Sequence, residues 1–368
     1  MRMAELRDEA LSGRIRARHT AQPTTGGNPM KRITLRRRPL LAGIAAVSLA
    51  APAVVRAQAK IVIPLATWGS PTHINIVQFI GPLEAALQRE TNGRITVKHY
   101  PAGQLAQDVD MPIAIPTGKV KFGWITVQGW SGLIKDVGAL SLPSAMTMEQ
   151  VAKACDEPGG FKEVLGKQFR AKGATLLAMT DIGSPAIVSS KKILAPEDVK
   201  GLRMRAPAEM HAELIKVLGG SPVAIPFAEV YTALQHGTIE SAIIGFQGIQ
   251  SQRVYEVTKF AIIPGSFTGT GMQGFAANLQ WWNSFSAADR ETIAKAIREA
   301  ELACRTEIIK DRAGLADQYR QKGMEVTLLD PSMPQFAQWA KATAPLLAKG
   351  EGFSKEIMAP ILAASAAK

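Results

Sequence analysis

Only two cysteines and five histidines occur in 368 residues, and aromatics make up 6% of the chain. Cys155 and Cys304 lie too far apart to mark a disulfide framework, so they read as two buried thiols, although export would permit a bridge. No two of His19, His73, His99, His211 and His236 stand at metal-ligand spacing, and neither cysteine joins one. A serine on a strand-to-helix elbow is missing, as is any cysteine–histidine arrangement. Asp108 with Asp110, and Glu197 with Asp198, read as solvated loop or helix-start acids. No nucleophile, acid and base come together, so the sequence reads as no enzyme, with no metal and no cofactor.

The net charge of +12 would suit nucleic acid if it were spread over the fold. It is not. Residues 1–59 carry eleven Lys/Arg against three Asp/Glu, which leaves 32 basic and 28 acidic residues for the remainder. A nucleic-acid partner is therefore not expected. "MKRITLRRRPLLAGIAAVSLAAPAVVRAQA" (30–59) has a basic start, an apolar run from Leu40 to Val55, and a small-x-small cleavage site at Ala57-Gln58-Ala59. Arg37-Arg38-Pro39-Leu40-Leu41, with Arg36 before it, fits a twin-arginine export signal; an ordinary Sec leader is the alternative. Residues 1–29 read as an upstream extension or as disordered. The mature chain is expected to begin near Lys60, in the periplasm.

From there strands and helices alternate. "KIVIPLATW" (60–68), "RITVKHYP" (94–101) and "KVKFGWITV" (119–127) read as strands around a helix at 74–93 and a short apolar-periodic stretch at 110–118. The pattern restarts with strands at 174–180, 186–190 and 202–206. A helix at 207–220 follows, with Pro207 at its start, Gly219-Gly220 past its end, and Met210, Leu214, Val217 and Leu218 on one face. A helix at 227–237 and a strand at 238–244 complete this half. The echo of "IAIPTGKVKFGWI" in "TALQHGTIESAII" points to two similar lobes. A long helix at 284–323, capped by Ser286, should strap them together. "GTGMQG" (269–274) matches the dinucleotide fingerprint but is followed by "FAANLQWW", which reads as a strand; it is taken as a flexible loop between lobes.

"GLRMRAP" (201–207) is the most informative stretch. Arg205 ends a strand just before a helix begins, where open α/β sheets bind ligands and a helix N-terminus favours anions. A guanidinium there can hold a carboxylate by two parallel hydrogen bonds, or it can form a structural ion pair. Arg203, further back, reads as solvated or paired. Trp68, Trp124, Trp130, Phe227, Phe246 and Phe267 sit at strand ends, where a few could wall a cleft opposite Arg205.

"GLRMRAPAEMHAELIKVLGGSPVAIPFAEVYTALQHGTIESA" resembles the signature region of solute-binding proteins of tripartite ATP-independent periplasmic (TRAP) transporters. "YPAGQL" (100–105), "LAPEDVKGL" (194–202) and "VYEVTKF" (254–260) are similar to further blocks of that family, in order. The resemblance implies an α/β, bilobed periplasmic binding protein with strand crossings between its lobes and a long helix spanning both. On the sequence reading, residues 60–182 plus 269–307 form lobe I and 183–268 plus 308–368 form lobe II. The resemblance implies that Arg205 clamps a solute carboxylate and that the protein delivers the solute to TRAP membrane permease subunits. Two departures stand out. Pro185 falls where the family often has a second arginine, and Ile244 replaces an asparagine. Fewer polar groups disfavour strongly polar ligands. The expected ligand is thus a monocarboxylate with an apolar or aromatic body, such as a 2-oxo or 2-hydroxy acid. A C4-dicarboxylate, or a role as ligand sensor for a receptor kinase, is the alternative. Trp68, Thr126, Phe227 and Ser266 are expected to line the cleft.

Overall fold

The computed structural model describes residues 59–143, 148–183, 185–329 and 332–366. Residues 1–58, which hold the expected upstream extension and all but the last residue of the expected export signal, lie outside the described residues. Among those described, the strands are β1 (Ile61–Ala66), β2 (Ile95–Tyr100), β3 (Phe122–Thr126), β4 (Ala174–Gly183), β5 (Ala186–Ser189), β6 (Arg203–Arg205), β7 (Ser221–Val223), β8 (Ser241–Ile244), β9 (Phe260–Ile263), β10 (Gly271–Asn278) and β11 (Glu325–Leu328). They form two sheets. The first runs β2-β1-β3-β10-β4 and the second β11-β9-β5-β8-β6-β7. β1 is parallel to β2 and β3, as expected where helices return the chain across a sheet. The chain passes between sheets from β4 to β5 and again from β9 to β10, so β10 runs antiparallel between β3 and β4.

That second passage overturns the loop reading of "GTGMQG". Residues 271–274 belong to β10, which is buried along its whole length. A Cβ at Gly274 would stand 2.8 Å from the Ala178 carbonyl oxygen, so the glycine is there for close packing. The tryptophans after the strand are not in it. Asn278 ends β10, and its Oδ1 accepts from the Trp281 amide at 2.8 Å, capping the helix Leu279–Asn283.

The long helix is Ala287–Gln321, 35 residues, or about 52 Å. Ser286 caps it: its Oγ accepts from the Asp289 amide at 3.1 Å. The helix packs on the helix Ile74–Thr91 and on β4 of the first sheet, then on β11 of the second. β4 is an edge strand, and an edge leaves backbone groups to satisfy. The long helix supplies the partners. Glu301, fully buried, accepts from the Met179 amide at 2.8 Å, and Arg305 Nε donates to the Met179 carbonyl at 2.8 Å. Lys162 and Arg298 reach Glu301 at 2.9 and 2.8 Å, and Asp156 meets Arg298 and Arg305 at 2.9 and 2.8 Å.

The helix expected at 207–220 spans Glu209–Val217. Its buried face is His211, Leu214 and Ile215, with Leu218 beyond its end, whereas Val217 is exposed. The buried stripe thus runs through His211 and Ile215 instead of Met210 and Val217. The final helix, Lys355–Ala366, packs against the helix Phe161–Ala171 on the first-sheet side. The sequence reading grouped residues 308–368 with the second lobe. Both cysteines are buried as thiols.

Candidate functional site

β6 is short because Pro207 follows it, and the strand delivers Arg205 to the interior at 3% exposure. Two backbone carbonyls fix its guanidinium: Nε donates to Ile225 O at 2.9 Å and Nη1 to Ile243 O at 3.0 Å. Arg203, two residues back, lies half-exposed and pairs with Glu240 at 3.2 Å, as its position on the strand predicts. The Nη2 of Arg205 meets the Asp108 carboxylate at 3.4 Å. That is longer than a charge-assisted hydrogen bond of about 2.8 Å. Burial pulls the Arg205 pKa down while Asp108 opposes the shift.

Asp108 corrects the sequence reading. It is not solvated: it is 7% exposed, at the start of a turn that follows β2 of the first sheet. Its other oxygen accepts from the Phe227 amide at 3.2 Å. Asp110 is exposed, as expected. One carboxylate thus joins the first-sheet side to two elements of the second-sheet side.

These groups line a pocket with about 530 Å³ of empty space, its mouth included. Arg205, Phe227, Ile244, Trp68, Thr126 and Pro185 all face it. The Ser266 side chain lies outside the described residues. Trp68 stacks on Trp124 with ring centroids 4.1 Å apart and forms a T-shaped pair with Phe227, centroids 4.6 Å apart. Such pairs each contribute about 0.5–1.5 kcal/mol beyond burial. Arg205 stands 6.0 Å from the Phe227 ring centroid. His73 joins this wall, 5.0 Å from Trp124. Its Nδ1 accepts from the Asn75 amide and so caps the 74–91 helix, which requires the neutral ring. Burial lowers its pKa to about 3.

Sequence reasoning missed several polar groups in the pocket. His211, Gln247, Gln273 and Gln128 line it with Asp108. Gln128 and the Gln273 amide are engaged with Thr270, Met272 and Thr126. Trp68 Nε1, both polar atoms of Gln247 and Gln273 Oε1 are buried without a hydrogen-bond partner among the described residues. Neither His211 ring nitrogen makes a well-aligned hydrogen bond, although the Thr268 backbone lies near. Burial, then the Arg205 charge, lowers the His211 pKa to about 4. Gln273 pairs with Thr126 of β3, so it could have been found only by recognising β10 as a strand. Gln247 and His211 sit on helices and carry no such signal.

No described helix is long and apolar enough to cross a membrane. The model of the bacterial extracellular solute-binding proteins, family 7 (DctP), matches residues 67–352. The chain is 32% identical to the uncharacterized protein y4mM of Sinorhizobium fredii over 87% of its length, but spans only 58% of that protein. It is 29% identical to the C4-dicarboxylate-binding periplasmic protein DctP of Rhodobacter capsulatus, over 59% of this chain and 65% of that one. Among solved structures, a TRAP periplasmic solute-binding protein of Shewanella oneidensis with bound succinate superposes with a TM-score of 0.76 at 21% identity. It covers 83% of this chain and 100% of that one. One from Polaromonas bound to D-erythronate gives 0.75 at 22%, over 83% and 99%.

Proposed function

The chain belongs to the DctP family of TRAP-transporter solute-binding proteins, and on that premise we propose that it captures a small organic carboxylate in the periplasm by hinge closure. It then hands the solute to TRAP membrane permease subunits. The observation that carries this reading is Arg205. The guanidinium is buried at the meeting of the two sheets' elements and fixed by two backbone carbonyls. Its Nη edge faces the pocket, where a ligand carboxylate can take two parallel hydrogen bonds. The favoured ligand is a monocarboxylate with an apolar or aromatic body. One cation, the aromatic wall of Trp68 and Phe227, and the apolar Pro185 and Ile244 support it. A C4-dicarboxylate is the second reading, favoured by the relative from Rhodobacter capsulatus. The two lobes divide, on this proposal, at the crossings near residues 183 and 268.

The test is a thermal-shift screen of the chain against mono- and dicarboxylates, with Arg205→Ala alongside. Removing one partner of a buried ionic contact costs about 3–5 kcal/mol, so the variant should bind at least a hundredfold more weakly. Unchanged binding by Arg205→Ala would overturn the site assignment. Stronger stabilisation by dicarboxylates would replace the monocarboxylate reading with the second one.

A further inference from the structure

Arg205 does not offer its whole fork to a ligand. The Nε side is taken by the Ile225 carbonyl and one Nη1 proton by that of Ile243. What remains is the end-on edge, and Asp108 lies against it, 3.4 Å from Nη2. A carboxylate docked end-on would share that edge with Asp108, and a substituent on its neighbouring carbon, C2, could then turn towards the Asp108 carboxylate. Asp108 is held there: its other oxygen accepts the Phe227 amide.

An ionised aspartate only accepts hydrogen bonds. A keto oxygen at C2 would set acceptor against acceptor in a site where Asp108 is only 7% exposed. A hydroxyl at C2 would donate to Asp108 and separate the two carboxylates. The other orphan atoms suit the same group. Gln273 Oε1 can accept a second hydroxyl proton, and Trp68 Nε1 can donate to a hydroxyl oxygen.

We propose that Asp108 is a specificity-determining residue that selects 2-hydroxy acids over the matching 2-oxo acids. The proposal rests on the reading of this pocket as a carboxylate site. A site that hydrogen-bonds a donor rejects the analogue lacking it, because its own buried group is left unmatched.

The experiment is titration calorimetry of the full chain with two matched pairs: 2-hydroxy- and 2-oxo-4-methylpentanoate, and phenyllactate and phenylpyruvate. The wild type should bind the hydroxy member at least tenfold more tightly in the pair that fits. Asp108→Asn, whose amide can donate to a keto oxygen, should shrink that ratio severalfold or reverse it. Asp108→Ser, tested beside it, should shrink it too if the asparagine variant fails to fold. Equal binding of both members, or a preference that survives both substitutions, would overturn the proposal while leaving the carboxylate site standing. If no member binds, the monocarboxylate reading falls with the proposal; if binding survives Arg205→Ala, the carboxylate site itself falls.

Discussion

His73 and His211 are buried and neutral for related reasons. Desolvation disfavours the imidazolium in both, and Arg205 adds repulsion at His211. Their folded pKa values, about 3 and about 4, lie below the ordinary 6.5. The unfolded chain therefore takes up these protons first as pH falls. Stability from the pair is complete above pH 6.5 and is lost as pH drops towards 4 and then 3. Each group contributes a slope of about 1.4 kcal/mol per pH unit within its window. The urea midpoint should fall steeply between pH 6 and 4. His73→Asn, which keeps a capping side chain, should flatten that fall by roughly half. An unchanged slope would show that the ring is not neutral in the fold. Cys304 behaves in the same manner: burial pushes its thiol up to about 12. It should resist maleimide in the native protein and react only after unfolding.

At the scale of elements, the contact between the long helix and β4 stands on a few buried charges. Glu301 and Arg305 take up the Met179 amide and carbonyl that the sheet edge leaves over. Glu301→Ala would take the acceptor from the Met179 amide and one of two carboxylates from Arg305, Arg298 and Lys162, leaving them Asp156 alone. It should destabilise the protein by about 3–5 kcal/mol, read as a lowered denaturant midpoint. Glu301→Gln should cost less, since its amide oxygen can still accept from Met179. This clamp could not be read from the sequence. Glu301 lies among the alternating charges of "IREAELACRTEIIK", which look like a solvated face, and only the neighbouring edge strand makes two of them, Glu301 and Arg305, buried. The elements themselves were legible where one period dominates. β1, β2, β3 and the 74–91 helix carry their alternation or helical stripe openly. β10 was hidden because its glycines imitate a loop; at Gly274 the reason for the glycine is the close approach of Ala178.

The same division holds for the whole molecule. Arg205 was legible because strand, arginine and proline are contiguous. Asp108 was not, because its partners lie 97 and 119 residues away, and only folding brings them together. The crossing from β9 to β10 is held tightly. Gly269 has φ +71° and its Cβ position would stand 2.6 Å from the Ser141 backbone. Gly269→Ala combines backbone strain with this clash, so a loss of about 1–3 kcal/mol or more is expected. The loss should show as a lower melting temperature and, on the hinge reading, as weaker ligand binding. A variant as stable as the wild type would show that this passage tolerates rearrangement. Ligand at a hundred times its Kd should add about 2.7 kcal/mol to the stability of the wild type.

Trp68 follows β1 of one sheet, whereas the Phe227 ring that covers it belongs to the other side of the cleft. Its indole is 3% exposed and pressed against a second indole at 4.1 Å. Any separation of the lobes must uncover this ring to water. The molecule therefore carries its own optical gauge. Emission from Trp68 should shift to the red when the cleft opens and back to the blue as it shuts, with no dye attached. Stopped-flow mixing with ligand would then time the gate directly, and Trp68→Phe would mark which part of the signal belongs to it.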